Sequence, residues 1–276
     1  MTNIREYTLE SWSEYDTRVK KRSYRRWIYR GQENATWGLK SSLLRAFETV
    51  QEMHRIGKGT EKNLSMYNHE RVMIERFKSN AHLYLDHVPN ADDDFSWLAL
   101  MQHYGAPSRL LDFSFSPYVA AYFALENGNG DAAIYAVEHS ELRGANEVLF
   151  EELYMGSHEN LEELYKKILK EDESEIQYFL YTFEPKFSNE RIMAQQGVFL
   201  MPNSLSASHQ EILETYGLQN KEIVKYIIPK ELRADGVRHL HQMNISANII
   251  YPGLEGFCKS MKYQPLFGLN YQKRVE

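Results

Sequence analysis

The sequence is poor in cysteine and has none of the short motifs that mark the best-known nucleotide, metal or nucleophile sites. Its 276 residues include one cysteine, Cys258, which excludes a disulfide framework within the chain and a cysteine-based zinc site. No GxxxxGK or GxGxxG phosphate-binding loop occurs, and HExxH and GxSxG are also missing. No metal centre is therefore predicted, and serine or cysteine hydrolase chemistry is not supported.

Long hydrophobic runs are missing too. No segment approaches the roughly 18 apolar residues that indicate a membrane helix, and the first residues, MTNIREYTLESW, lack the apolar region of a signal peptide. These features predict a cytoplasmic protein without a membrane partner. The net charge of -6 argues against a strong general affinity for nucleic acid.

Strand and helix patterns are interleaved without a regular βαβ period, which favours an α+β fold with a mixed or antiparallel sheet. Aromatic and β-branched stretches predict strands over residues 24–30, 109–113, 132–137, 176–183, 197–201 and 222–228. Apolar spacing predicts helices over 60–85 and 96–104, and Ser116-Pro117 marks the start of a third. Ser96 is the expected cap of the second helix and Gly105 its expected end. We expect one domain over residues 1–276, with an acidic helical insertion at about 141–175.

The first polar segment that suggests chemistry is WIYRGQ, at residues 27–32. Arg30 ends a predicted strand, and Gly31 after it lets a ligand approach the backbone closely. A guanidinium in this place suits a two-point grip on a phosphate or a carboxylate. The alternative is a structural salt bridge from Arg30 to an internal acid.

The second segment is QHYGAPSRLLDFSFSP, at residues 102–117, which has more polar groups than a plain connection needs. It would place Arg109 and Asp112 close enough for a buried ion pair, which is costly unless well bonded. Ser114 and Ser116 alternate on the predicted strand and so share a face. Alternatively, Ser116 only caps a helix and His103 is an ordinary core histidine. A third segment places two amides, Gln195 and Gln196, before an apolar strand.

Five blocks occur in order along residues 10 to 260: YRGQ, WGLKSSLLR, QHYGAPSRLLDFSFSP, RIMAQQGVF and YPGLEG. Together they resemble the FRG domain, a bacterial and phage family named after its Phe/Tyr-Arg-Gly motif. Their order is also similar to the core of ADP-ribosyltransferases of the Arg-Ser-Glu type. The resemblance implies an enzyme with an ADP-ribosyltransferase-like fold. Such an enzyme would cleave the nicotinamide–ribose bond of NAD and transfer ADP-ribose to an acceptor, and its role would be that of a toxin or a phage-defence effector. The acceptor is a protein, a nucleic acid or a small molecule.

The resemblance also implies roles for particular residues. Arg30 matches the arginine that grips the pyrophosphate, and Ser114 and Ser116 match the serine strand, with Phe115 in place of its middle threonine. Gln195 and Glu255 are predicted for the third catalytic element, with Glu190 and Glu211 as the other open carboxylates. The residues expected to contact NAD are Tyr29, Arg30, Gly31, Gln32, His103, Tyr104, Arg109, Asp112, Phe115 and Tyr122.

Two other functions remain open. The same arginine and polar strand suit a module that binds a nucleotide or a phosphorylated partner without turnover, because the expected Glu-x-Glu is missing after Gln195. A nucleotide or nucleic-acid hydrolase would use His103, Arg109 and Asp112, and would need a metal or a general base.

Overall fold

A computed structural model of the chain describes residues 4–56, 65–154, 178–186, 190–216 and 223–267. It has a seven-stranded mixed sheet with helices on both faces, so the predicted α+β class is confirmed. The strands are β1 (Arg5–Thr8), β2 (Ile28–Gln32), β3 (Leu111–Ser114), β4 (Ala132–Val137), β5 (Leu180–Phe183), β6 (Gly197–Pro202) and β7 (Ile223–Ile228).

The described helices lie between these strands and after the last one. They are α1 (Trp12–Lys20), α2 (Ser42–Ile56), α3 (Met66–Ala81), α4 (Asp94–His103), α5 (Pro117–Leu125), α6 (His139–Tyr154), α7 (Glu190–Ala194), α8 (His209–Thr215), α9 (Arg233–Gln242), α10 (Ala247–Ile250) and α11 (Leu254–Ser260). Short 3₁₀ helices cover Lys230–Leu232 and Met261–Phe267. No helix in the described ranges is long and apolar enough to cross a bilayer.

The strand order in the sheet is β1-β7-β4-β2-β3-β6-β5. β1 pairs with β7 in parallel, and the other neighbours are antiparallel. β4, in the interior of the sheet, is AAIYAV, and all of its side chains are buried. Because both of its faces are covered, this strand reads as a continuous apolar run instead of an alternating one.

Alternate residues of the strands face two separate cores. On the first face, Ala132, Ile134 and Ala136 of β4 pack with the apolar sides of α1, α5 and α9. On the second face, Tyr135 and Val137 of the same strand pack with residues of α6 and α8. The period of two along β4 therefore assigns each layer of helices to its side of the sheet.

Local chemistry explains the start of α5. Ser116 caps the helix, with its Oγ accepting a hydrogen bond from the N–H of Val119 at 3.3 Å, and Pro117 occupies the first helical turn. Under this helix lies Gly31 of β2. A Cβ at Gly31 would lie 1.9 Å from the carbonyl oxygen of Ala120, so β2 and α5 approach each other as only glycine allows.

Several predicted boundaries are wrong for local reasons. The predicted strand over 24–30 begins only at Ile28, because the chain turns before it and Arg25 has a φ of 61°. Helix α4 begins at Asp94 and is capped by Asp93, not by Ser96, whose N–H donates to the Asp93 carboxylate at 3.2 Å. Gly105, with a φ of 80°, follows the end of α4 as predicted. The predicted insertion at 141–175 contains all of α6 except its first two residues, and its remainder from residue 155 onward lies outside the described residues.

His209, the first residue of α8, is a buried histidine with a strongly lowered pKa. Its side chain is 1% exposed, and its Nε2 donates to the carbonyl oxygen of Leu200 at 3.1 Å. Burial, helped by the positive charges of Arg30 and Arg109, lowers the pKa of His209 to about 3. The neutral form is therefore the native one.

Acid should destabilise the protein through His209. The unfolded chain takes up this proton near pH 6.5 and the folded protein only near pH 3, so stability is complete above pH 6.5 and falls as the pH decreases towards 3. We expect a loss of about 2 kcal/mol in the free energy of unfolding between pH 7 and pH 5 from this group alone. Urea melts of wild type, His209→Gln and the exposed control His87→Gln would measure it. Equal pH slopes in wild type and His209→Gln would contradict the assignment.

Candidate functional site

A cavity of about 980 Å³ lies where β2 and β3 separate. β2 pairs with β4 along all of Ile28 to Gln32, but its pairing with β3 is the single position of Tyr29 opposite Ser114. Beyond that position, the cavity extends between the two strands. Its volume is at the upper end of the ~300–1,000 Å³ that is typical of small-molecule sites.

The register explains why α4 and α5 form the walls of this cavity on the first face. Tyr29 lies opposite Ser114 on β3, and Asp112 of β3 lies opposite Phe199 on β6, so these side chains share one face. On that face α5 covers β2, and α4 packs over β6 against Phe199. The cavity is lined on this side by Ala99, Gln102 and His103 of α4, Ala120 and Phe123 of α5, and Arg191 and Ile192 of α7. Residues of the loop after β2 and of α8 complete the lining.

Arg30 spans the gap between the two strands. Its Nη1 donates to the carbonyl oxygen of Asp112 at 2.7 Å and lies 3.8 Å from the Asp112 carboxylate. Its Nε is buried without a hydrogen-bond partner, although the side chain as a whole is 19% exposed. Burial lowers the pKa of the Arg30 guanidinium, and the nearby Asp112 opposes this effect. The guanidinium stays charged at neutral pH and keeps donors for a ligand in the cavity.

Asp112 and Arg109 do not form the ion pair suggested by their spacing. Asp112 is exposed and accepts a hydrogen bond from Nε2 of Gln102 at 2.8 Å. Arg109 is 1% exposed and binds both carboxylate oxygens of Glu70 on α3, with a further bond to the carbonyl oxygen of Pro202. Arg109 is not part of the cavity lining, and its charge is compensated within the core.

Ser114 is in the lining, whereas Ser116 is not. β3 ends at Ser114, so the two serines do not share a strand face as predicted. The Oγ of Ser114 donates to the carbonyl oxygen of Gln195 at 2.7 Å and accepts from the N–H of Ser116 at 2.9 Å. Ser114 thus connects the start of α5 to the turn before β6, while the side chain of Ser116 caps α5.

Gln195 lies in the cavity lining in a turn that is held from two sides. Its Nε2 donates to the carbonyl oxygen of Ile250 at 3.1 Å, and its own carbonyl accepts from Ser114. The next residue, Gln196, has a φ of 48°, and its carbonyl oxygen accepts from the N–H of Phe115. These bonds leave Oε1 of Gln195 as the acceptor of the side-chain amide.

His103, at the end of α4, also lines the cavity. Burial lowers its pKa, and the charge of Arg191 acts in the same direction, whereas Glu255 and Asp112 raise it. A neutral imidazole here has one donor and one acceptor nitrogen for a ligand. In the described part of the chain, no three or more His, Cys, Asp or Glu side chains gather as a possible metal site.

Residues 25–132 match the family model of the FRG domain. This match supports the resemblance to the FRG family over β2 to the first residue of β4, and it contains Arg30, Asp112 and Ser114. Gln195 and Glu255 lie outside the FRG match. No curated protein and no solved structure matches the chain.

Of the tyrosine and phenylalanine side chains expected to contact NAD, Tyr29 lines the cavity, whereas Tyr104, Phe115 and Tyr122 do not. Within the FRG match, Phe115 is buried in the second core, where its ring also contacts His139 and the exposed Tyr24, and Tyr122 is buried in the first core. Tyr104 is exposed and lies outside the lining. Trp37, which is 49% exposed, and Phe123 line the cavity instead. The sequence signal for Trp37 was its place in the WGLKSSLLR block.

The carboxylates considered for the third catalytic element lie at different places. Glu211 is in the lining, where its carboxylate accepts from the N–H of Ser208 at 2.7 Å as part of a capping box. Glu255 is outside the lining and binds Lys259 at 2.9 Å, which lowers the pKa of its carboxyl. Glu190 is exposed at the start of α7. Of the residues predicted for NAD contact or catalysis, the cavity brings together Tyr29, Arg30, Gly31, Gln32, His103, Asp112, Ser114 and Gln195.

Proposed function

We propose that this protein is an NAD-dependent ADP-ribosyltransferase-like enzyme with its active site in the cavity between β2 and β3. One observation carries the proposal. Arg30, Ser114 and Gln195 lie on β2, at the end of β3 and just before β6, which are three neighbouring strands, and all three line one cavity. This is the order in which the resemblance places its arginine, its serine and its third element.

The reaction would break the bond between nicotinamide and the ribose of NAD. Nicotinamide leaves with the electron pair of the bond, the ribose C1 passes through an oxocarbenium-like state, and the acceptor forms the new bond and loses a proton. The electronic demand is that of glycoside cleavage. The enzyme must therefore hold the pyrophosphate, bind the nicotinamide and stabilise positive charge on the ribose.

The cavity offers groups for each of these tasks. Arg30 lines the cavity with a partly exposed side chain, whose guanidinium supplies charged donors for a phosphate. Trp37 and Phe123 offer rings for stacking, which is worth about 0.5–1.5 kcal/mol beyond the buried area. Gln195 lines the cavity with its Nε2 bound to Ile250, so its Oε1 would supply the negative end of an amide dipole for the ribose, in place of a carboxylate.

Nicotinamide release from NAD by the purified protein tests the proposal. Arg30→Ala should reduce the rate about 100-fold, the effect of losing charged hydrogen bonds worth about 1.5–3 kcal/mol. Arg30→Lys, which keeps the charge but not the planar fork, should be impaired less, and the distant surface variant Arg55→Ala should match wild type. Each variant must first melt like wild type. The absence of release by wild type, even with cell lysate as the source of acceptor, would refute the enzyme.

A nucleotide-binding module is the second candidate, and the amide of Gln195 favours it. In the lining, an uncharged group occupies the position where the resemblance expects a carboxylate, and the cavity carboxylate Glu211 is engaged in capping α8. Such a module would bind NAD in a titration and leave it intact. NAD binding without nicotinamide release would therefore decide for this second function.

A further inference from the structure

Arg45, in the first turn of α2, lines the cavity but has no role in the reaction proposed above. Its Nη1 donates to the carbonyl oxygen of Lys40 at 2.5 Å, a contact that holds the side chain but does not neutralise it. Among the described residues, Arg45 has no carboxylate partner within ion-pair distance. It is therefore a cation in the lining that forms no ion pair with the part of the chain that the structure describes.

Three of the five acids in the cavity lining have hydrogen-bond partners other than Arg45. Glu48, one turn along α2, binds the ammonium of Lys40 through both oxygens at 2.8 and 3.0 Å. Glu211 accepts from the backbone of Ser208, and Glu214 accepts from Gln210. The lining thus contains carboxylates, but the hydrogen bonds described for these three are made with residues other than Arg45.

Arg45 and Arg30 interact unfavourably with each other. Both residues line the same cavity, and the positive charge of Arg45 contributes to lowering the pKa of the Arg30 guanidinium. Two like charges at one site repel, and an anion placed between them is attracted to both. Asp112 offers only partial relief, because it is 3.8 Å from Arg30 and already accepts from Gln102.

We propose that Arg45 and Arg30, which line the same cavity, together bind the diphosphate of a dinucleotide, so that Arg45 is a further substrate-binding residue of this cavity. The inference rests on the proposed function in taking NAD as the substrate, but the ligand chemistry that it names is the diphosphate alone. A single arginine matches the charge of one phosphate, and two match a pyrophosphate.

Calorimetric titration with ADP-ribose tests this, because ADP-ribose carries the diphosphate and is not consumed. Arg45→Gln should weaken binding about 10-fold or more, as expected for loss of a charge-assisted hydrogen bond. Arg55→Gln removes the same charge from the same helix, but Arg55 pairs with Glu52 on the surface, so this control should bind like wild type. The wild-type affinity should also fall more steeply with salt than that of Arg45→Gln. Both variants must keep the wild-type melting temperature.

The outcomes separate this inference from the proposed function. Equal affinities of Arg45→Gln and Arg55→Gln for ADP-ribose, or no binding of ADP-ribose by wild type, would contradict the binding of a diphosphate by Arg45, whatever the result of the nicotinamide assay. If Arg45→Gln binds ADP-ribose more weakly and wild type releases no nicotinamide, Arg45 binds the diphosphate in a binding module, and the proposed enzymatic activity is refuted. If wild type turns NAD over, Arg45→Gln should raise KM about 10-fold and change kcat little, because it contacts a part of the substrate that does not react.

Discussion

Gly31→Ala is expected to cost at least about 3 kcal/mol of stability, because it forces apart two backbones that pack at the centre of the fold. A Cβ at this position would lie 1.9 Å from the carbonyl oxygen of Ala120 and 2.6 Å from the backbone N of Ala124, both in α5. No rotamer change relieves contact with a helix backbone. Helix α5 would have to move away from β2 and lose packing along the first core, and it would shift one wall of the cavity.

Urea denaturation of Gly31→Ala and Gly144→Ala would measure this cost against a matched control. Gly144 lies in α6 with nothing within 4 Å of an added Cβ, so its replacement should be neutral or should stabilise the helix by up to about 1 kcal/mol. A Gly31→Ala protein that melts like wild type would show that β2 and α5 are not in the close contact described. The glycine of the Tyr-Arg-Gly motif thus has a packing role, in addition to any approach of a ligand to the backbone.

Glu70→Ala is expected to be about as damaging, at roughly 3–5 kcal/mol, because it leaves the guanidinium of Arg109 charged and buried without a counter-ion. Arg109 and Glu70 are 1% and 3% exposed, and they join α3 to the segment before β3 through several hydrogen bonds. Removing one partner leaves the desolvation cost of the other.

Three variants identify the cause of such a loss. Glu75→Ala, at an exposed position of the same helix, should change stability by less than about 0.5 kcal/mol. The double variant Glu70→Leu/Arg109→Met removes both charges and should recover much of the loss caused by Glu70→Ala alone. If the double variant is no more stable than Glu70→Ala, the unpaired charge is not the reason.

Features set by neighbouring residues could be predicted from the sequence. β4 is confirmed at 132–137, since a uniformly apolar stretch follows a glycine-containing turn. The start of α5 is also confirmed, because serine and proline act within one helical turn. In the same way, the α+β class follows from the irregular alternation of strand and helix patterns.

Features set by distant residues could not be predicted. The partner of Arg109 is 39 positions earlier in the chain, on a helix whose placement no local pattern specifies. Phe115 was expected to contact NAD, but β3 ends at Ser114, and the ring is buried in the second core. Trp37 is in the cavity because the loop after β2 folds towards α8, a contact that involves residues more than 170 positions apart.

Because β2 and β3 pair at a single position, the sheet consists of two parts that are joined by few backbone hydrogen bonds. One part of the sheet is β1-β7-β4-β2, and the other part is β3-β6-β5. Arg30 belongs to the first part, and Ser114 and Asp112 belong to the second part. A ligand that contacts both parts connects them across this weakly paired boundary, and its binding stabilises the complete sheet.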